Sequence, residues 1–206
     1  MDPWNDIKAD REAFADYLDT LSPEQWDERS LCADWTVKDV TAHLLVAPTM
    51  SKGQVFFAFL KAGFNLDKMS ATLVGRMTAT MTTEELVATT RATAGVRSAP
   101  PGLKPLGVFG EVLTHTTDVS LATGAPFELP VDHYVIGLDY FKDVKPVLGC
   151  RQRVAGLTLR TTDAEWTSGD GPLVEGPARL LLSAVNGRPA AFDGLTGDGV
   201  ATMRAR

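Results

Sequence analysis

The stretch that most constrains this chain is Glu111-Val112-Leu113-Thr114-His115, set between Pro105 and Gly124. Proline near a start and glycine past an end are ordinary helix punctuation. At 3.6 residues per turn, Glu111 and His115 stack on one face, and Asp118 extends the stripe by another turn. A carboxylate and an imidazole aimed into a core are either satisfied by hydrogen bonds or hold a metal. A third ligand would have to come from another helix. The chain has three histidines. His133 falls in the first turn of a later helix and reads as a surface residue. His43 lies in Trp35-Thr36-Val37-Lys38-Asp39-Val40-Thr41-Ala42-His43-Leu44, which itself reads as a helix. The expected site is therefore His43, Glu111 and His115 in the core of a helical bundle. Asp118 is expected behind the ligands, accepting the ring N–H of His115. Gly107 and Gly110, each costing about 1 kcal/mol against alanine in a helix, point to a close approach beside Glu111.

The rest of the chain supplies the frame. A helix is expected over 3–20, and Ser22-Pro23-Glu24-Gln25 is a start signal for a short one. Thr36 caps the next, with Asp39 reaching back, and Pro48 ends it. Residues 51–62 are aromatic-rich, and Phe56, Phe57 and Phe59 cannot all face one core. Further helices are expected over 66–81, from Thr82 to about 97, and over 131–147. From Cys150 the texture changes. Residues 153–160 and 163–167 read as strands, and Gly169-Asp170-Gly171-Pro172 as a turn before Leu173-Val174-Glu175. A helix over 176–185 stops at Gly187. The expected class is α+β, mainly α: an up-down four-helix bundle over 1–148 and a small α/β module over 149–206.

Charge narrows the partners. The net charge of −6, with basic residues scattered, argues against a phosphate-backbone partner, and none is expected. No apolar run approaches the roughly 18–20 residues of a membrane span. The acidic start Met1-Asp2-Pro3-Trp4 lacks the form of a signal peptide, so a cytoplasmic protein is expected. Cys32 and Cys150 have no CxxC spacing and read as buried or idle thiols.

The Trp35–Leu44 segment resembles the first signature of the mycothiol-dependent maleylpyruvate isomerase family, a branch of the DinB-like bundles. Glu111, His115 and Asp118 are similar to its second. The tail, Val174-Glu175-Gly176-Pro177-Ala178 through Leu181-Leu182, Gly187-Arg188 and Thr196-Gly197-Asp198, resembles the family's C-terminal module. The resemblance implies a divalent metal at His43, Glu111 and His115, with zinc expected and iron(II) or nickel also suited to two histidines and a carboxylate. It implies mycothiol as the thiol cosubstrate, for cis–trans isomerisation or S-transfer on a small, anionic electrophile. Arg188 is the match for the family's substrate-binding arginine, whose fork suits a carboxylate; it also reads as a helix C-terminal cation. Cys32 precedes the first metal helix and Cys150 opens the module, so a metal-bound sulfur is expected to come from outside the chain. The alternatives are a metal-binding bundle without turnover and a metal-dependent hydrolase.

Overall fold

The computed structural model describes residues 2–32, 34–100, 102–144 and 149–206, which form a mainly helical protein with one small sheet. Its helices in chain order are α1 (Pro3–Leu18), α2 (Pro23–Asp27), α3 (Val37–Thr49), α4 (Lys52–Lys61), α5 (Leu66–Thr80), α6 (Thr83–Thr93), α7 (Pro105–Thr123) and α8 (Val131–Phe141). There follow α9 (Cys150–Val154), the strands β1 (Thr158–Thr161), β2 (Thr167–Ser168) and β3 (Leu173–Gly176), then α10 (Ala178–Val185), a 3-10 turn (Pro189–Gly194) and α11 (Val200–Arg204).

The chain divides into two compact units, Met1–Phe127 and Glu128–Arg206. In the first, α1 packs against α6 and α7, and α3 packs against the same two helices, which makes a four-helix bundle. Its core joins Phe14, Tyr17 and Leu18 of α1, Val40 and Leu45 of α3, Leu86 and Val87 of α6, and Val119 of α7. Trp26 of α2 closes one side. The helix starts follow from their caps. Ser22, Thr36, Ser51 and Thr82 each head a capping box, in which the cap hydroxyl takes an amide of the first turn and a side chain at the third position takes the cap's own amide. Pro48 stays inside α3, which runs one residue past it.

Helix α5 lies against α3, and α4 against α5. No residue of α4 is buried. Phe56 and Phe57 remain 56% and 58% exposed, so they serve no core, in line with their unhelpful spacing. Among the described residues no helix is long and apolar enough to cross a membrane.

The second unit begins earlier than the sequence suggests. Helix α8 packs on α10, so it belongs with the C-terminal module and not with the bundle expected over 1–148. Its expected extension to 147 falls partly outside the described residues. The sheet has the order β2-β1-β3, with β1 antiparallel to β2 and parallel to β3. The strand expected over 153–160 is shortened: α9 takes its first two residues, and only Thr158–Thr161 extends. Arg151 and Arg153 near the helix C-terminus favour that turn electrostatically. The 163–167 strand shrinks to Thr167–Ser168. Gly169 is fixed by its turn: at φ +87°, a Cβ would stand 2.1 Å from the Leu157 carbonyl oxygen. The tail ends in α11, anchored by fully buried Met203.

Replacing Phe14, fully enclosed in the bundle core, with alanine removes a large side chain that neighbours cannot refill. Phe14→Ala is expected to lower stability by about 3–5 kcal/mol. Phe57→Ser on exposed α4 is expected to stay within about 0.5 kcal/mol. Denaturant unfolding followed by helical circular dichroism distinguishes the two.

Candidate functional site

The candidate site is set by two helices of the bundle, with a third beside them. The turn before α3 is pinned by an isolated bridge between Arg29 and Thr36 and by Ser30, whose amide donates to the Trp35 carbonyl at 2.9 Å. Helix α3 then starts at the Thr36 cap. The Asp39 carboxylate accepts the Thr36 amide at 3.0 Å and the Thr36 hydroxyl at 2.8 Å, so Asp39 is a capping residue, as its spacing predicts. One turn on stands His43, half-buried. Its Nδ1 lies 3.2 Å from the Ser70 hydroxyl of α5, and its ring tilts against Trp35 at 4.8 Å between centroids.

Helix α7 brings the other side. It is buried along most of its 19 residues because α1 and α3 both pack on it. Pro105 occupies its first turn and Gly124, at φ 62°, ends it in the left-handed conformation. His115 is 8% exposed and meets His43 edge-on, with ring centroids 4.9 Å apart. His115 Nδ1 lies 3.1 Å from Asp118 Oδ2, and Asp118 is 0% exposed. A carboxylate only accepts, so Nδ1 carries the proton and Nε2 becomes the lone-pair nitrogen of the neutral ring.

Glu111, one turn before His115, is partly enclosed. Burial pushes its carboxyl above the ordinary carboxylate value, and the nearby charges of His115 and Arg11 pull it back part of the way. Arg11 on α1 is itself buried, donating to the carbonyls of Ala94 at 3.4 Å and Val96 at 3.1 Å. The bundle thus holds a carboxylate of weakened acidity, two touching imidazoles, and a carboxylate fixing one ring. The donor types suit a divalent cation, and the ring-fixing carboxylate is the usual support of a histidine ligand.

The structure brings His43 and His115 together and places Glu111 within electrostatic reach of His115. Among the described residues, the cluster of three metal-type donors within 4.8 Å of one another is a different set: Cys32, His115 and Asp118. Cys32 is thus not idle in position. The expectation that distance along the chain keeps it from the ligands is corrected, because the Ser30–Trp35 turn folds the sequence back onto the end of α7. The Leu31 amide reaches the Asp118 carbonyl at 3.5 Å. The signal for that turn was Ser30 and Asp34: the Ser30 hydroxyl takes the Cys32 amide at 3.1 Å, and Asp34 sits at φ 65°. Ser70, the partner of His43, carried no signal at all.

The other two residues lie in the C-terminal unit. His133 is half-buried in the first turn of α8. Arg188 is half-buried at the start of the 3-10 turn, its guanidinium 3.3 Å from the Asn186 carbonyl. Its charge and that of Arg153 act on buried Cys150, whose thiol burial nonetheless pushes above its ordinary value.

Glu111 predicts a pH signature for the metal-stripped protein. Its folded pKa is raised, so stability is greatest at acid pH and is lost as pH rises through the folded value. Glu111→Gln, neutral throughout, is expected to match the parent at acid pH and to exceed it in stability above that window. Chemical denaturation of both proteins across pH measures the gap; a gap that does not open with pH contradicts the raised value.

A family model described as the mycothiol maleylpyruvate isomerase N-terminal domain matches residues 7–129. Two solved structures are similar in fold: the mycothiol-dependent maleylpyruvate isomerase and a histidine-to-alanine mutant of it. Each superposes with a TM-score of 0.62 at 13% identity, covering 95% of this chain and 91% of theirs. No curated protein matched the chain.

Proposed function

The chain belongs to the mycothiol maleylpyruvate isomerase family, and from that premise we propose that it is a metal-dependent enzyme of small-thiol chemistry, acting on a small anionic electrophile. The observation that supports this reading most is the pair of imidazoles from α3 and α7, edge to edge at 4.9 Å, with one of them oriented by a buried carboxylate. His43, Glu111 and His115 would hold the ion, zinc in the first instance. Asp118 would hold His115 with Nε2 presented. When bound, the ion supplies Lewis acidity that lowers the pKa of a thiol at an open position.

The residues divide the work. Asp118 keeps the proton on Nδ1 of His115, which fixes the tautomer without reorganisation at the moment of binding. Ser70 limits the rotation of the His43 ring. Arg11 tempers the charge of Glu111. Trp35 packs at a tilt against the His43 ring and helps to hold it in place. The thiol most consistent with the family is mycothiol. Its sulfur adding to a conjugated double bond, rotation about the former double bond, and loss of the sulfur give cis–trans isomerisation; displacement of a leaving group gives S-transfer. Arg188 is the proposed receptor for a substrate carboxylate. The reaction is assigned to the cytoplasm, with no nucleic acid or membrane partner.

The protein purified without added metal is expected to contain about one divalent ion per chain. A His43→Ala/His115→Ala double variant should lose it by elemental analysis; full retention would overturn the assignment. Asp118→Asn is expected to weaken metal affinity roughly tenfold or more, and an unchanged dissociation constant would make Asp118 a merely structural acid. For the thiol, the cobalt-substituted protein should show added sulfur-to-metal charge-transfer absorption when mycothiol is supplied. No change with millimolar mycothiol, bacillithiol or glutathione would leave a hydrolase or a non-catalytic binding protein in its place.

A further inference from the structure

The turn ahead of α3 presents a thiol that the reading above does not use. Cys32 Sγ, a ring nitrogen of His115 and a carboxylate oxygen of Asp118 lie within 4.8 Å of one another. The group is neither a lone cysteine nor a solvated acidic cluster. Asp118 is wholly buried and His115 nearly so, which means that two of the three donors are already stripped of water. Dehydrated donors of three chemical types converging on one point are what a soft divalent ion requires.

The backbone that carries the thiol is also held from both sides. The Ser30 hydroxyl accepts the Cys32 amide at 3.1 Å and stands 3.1 Å from the Cys32 carbonyl and 2.9 Å from the Trp35 carbonyl. The Trp35 amide closes the turn on the Cys32 carbonyl at 3.1 Å. The Leu31 amide ties the same turn to Asp118. The backbone carrying the sulfur is therefore joined to the segment carrying the nitrogen and oxygen, and little chain ordering is left for an ion to impose. Around tetrahedral zinc, donor atoms stand roughly 3.3–3.8 Å apart. His115 Nδ1 and Asp118 Oδ2 are 3.1 Å apart already. Closing the set takes a shift of about an ångström in the sulfur, within the freedom of one side-chain torsion.

We infer that Cys32, His115 and Asp118 form a second donor set, for a soft divalent ion such as zinc, cadmium or cobalt, on the Nδ1 edge of His115. It adjoins the His43/Glu111/His115 set and shares its ring. It rests on the metal competence of His115 in the reading above, and not on thiol chemistry. Softness divides the two sets. A thiolate recruits zinc and cadmium, whereas the set of two imidazoles and a carboxylate takes iron(II) and nickel as well. An ion at the second set replaces the Nδ1–H···Oδ2 hydrogen bond. It thereby removes the contact that orients His115 for the first set, so soft ions in excess weaken binding there. Cys32 makes this position an inhibitory one.

Cobalt(II) titration of the metal-stripped protein, with no external thiol present, tests it. Visible d–d bands report either set, and a near-ultraviolet sulfur-to-metal band reports Cys32. The sulfur band is expected in the parent and in Cys150→Ser, and absent from Cys32→Ser. Cadmium is expected to slow iodoacetamide labelling of Cys32, followed by peptide mass mapping, at least tenfold; this uses the unaltered chain and holds even if Cys32→Ser does not fold. Saturated d–d bands with no sulfur band and unprotected Cys32 would overturn the second set and leave the first standing. A sulfur band that survives Cys32→Ser would also overturn it. Neither d–d bands nor protection would overturn both sets.

Discussion

A carboxylate with no exposed surface sits 3.1 Å from an imidazole on the same helix, and much of the N-terminal unit is arranged around that contact. Burying Asp118 uncompensated would cost several kcal/mol. The His115 N–H offsets part of that cost, and in return the carboxylate decides which ring nitrogen faces the rest of the site. Orientation and compensation are one interaction here. Removing either partner would disturb both the helix and the donor set.

The helix that carries this pair is also the most enclosed element of the bundle, and it is not purely apolar. Thr116, Thr117 and Ser120 are buried, yet each turns its hydroxyl onto a carbonyl of its own helix: Leu113 for the first two, Thr117 for the third. Local back-bonding satisfies them without partners from other helices. Glu111, His115 and Asp118 are by contrast polar groups of α7 whose needs reach beyond their own backbone. A helix can thus lie in the middle of a bundle and still present one chemically demanding face. The raised pKa of Glu111 and the buried charge of Arg11 belong to the same economy of dehydration.

Local chemistry decided much of this protein from the sequence alone. The capping residues Ser22, Thr36 and Thr82, and Pro105 and Gly124 around α7, act over one turn, and the helices begin or end where those signals stand. The stacking of Glu111, His115 and Asp118 follows from helical periodicity, as does the capping role of Asp39. The choice of His43 as the second imidazole rested on its place in a helix and on the scarcity of histidine, and the rings do meet.

What the sequence left open depends on non-local packing. The boundary between the units moved because α8 buries its apolar face on α10, a partner distant in the chain. Part of the expected strand over 153–160 became α9 because alternation over a few residues does not choose between a helical turn and an extended run until neighbours are present. Ser70 reaches His43 only because α5 lies on α3. Cys32 was judged by its distance along the chain, whereas the turn between Ser30 and Trp35 returned it to α7 beside Asp118. Periodicity determines which residues share a face of one helix; only the tertiary structure determines which faces, turns and thiols meet across it.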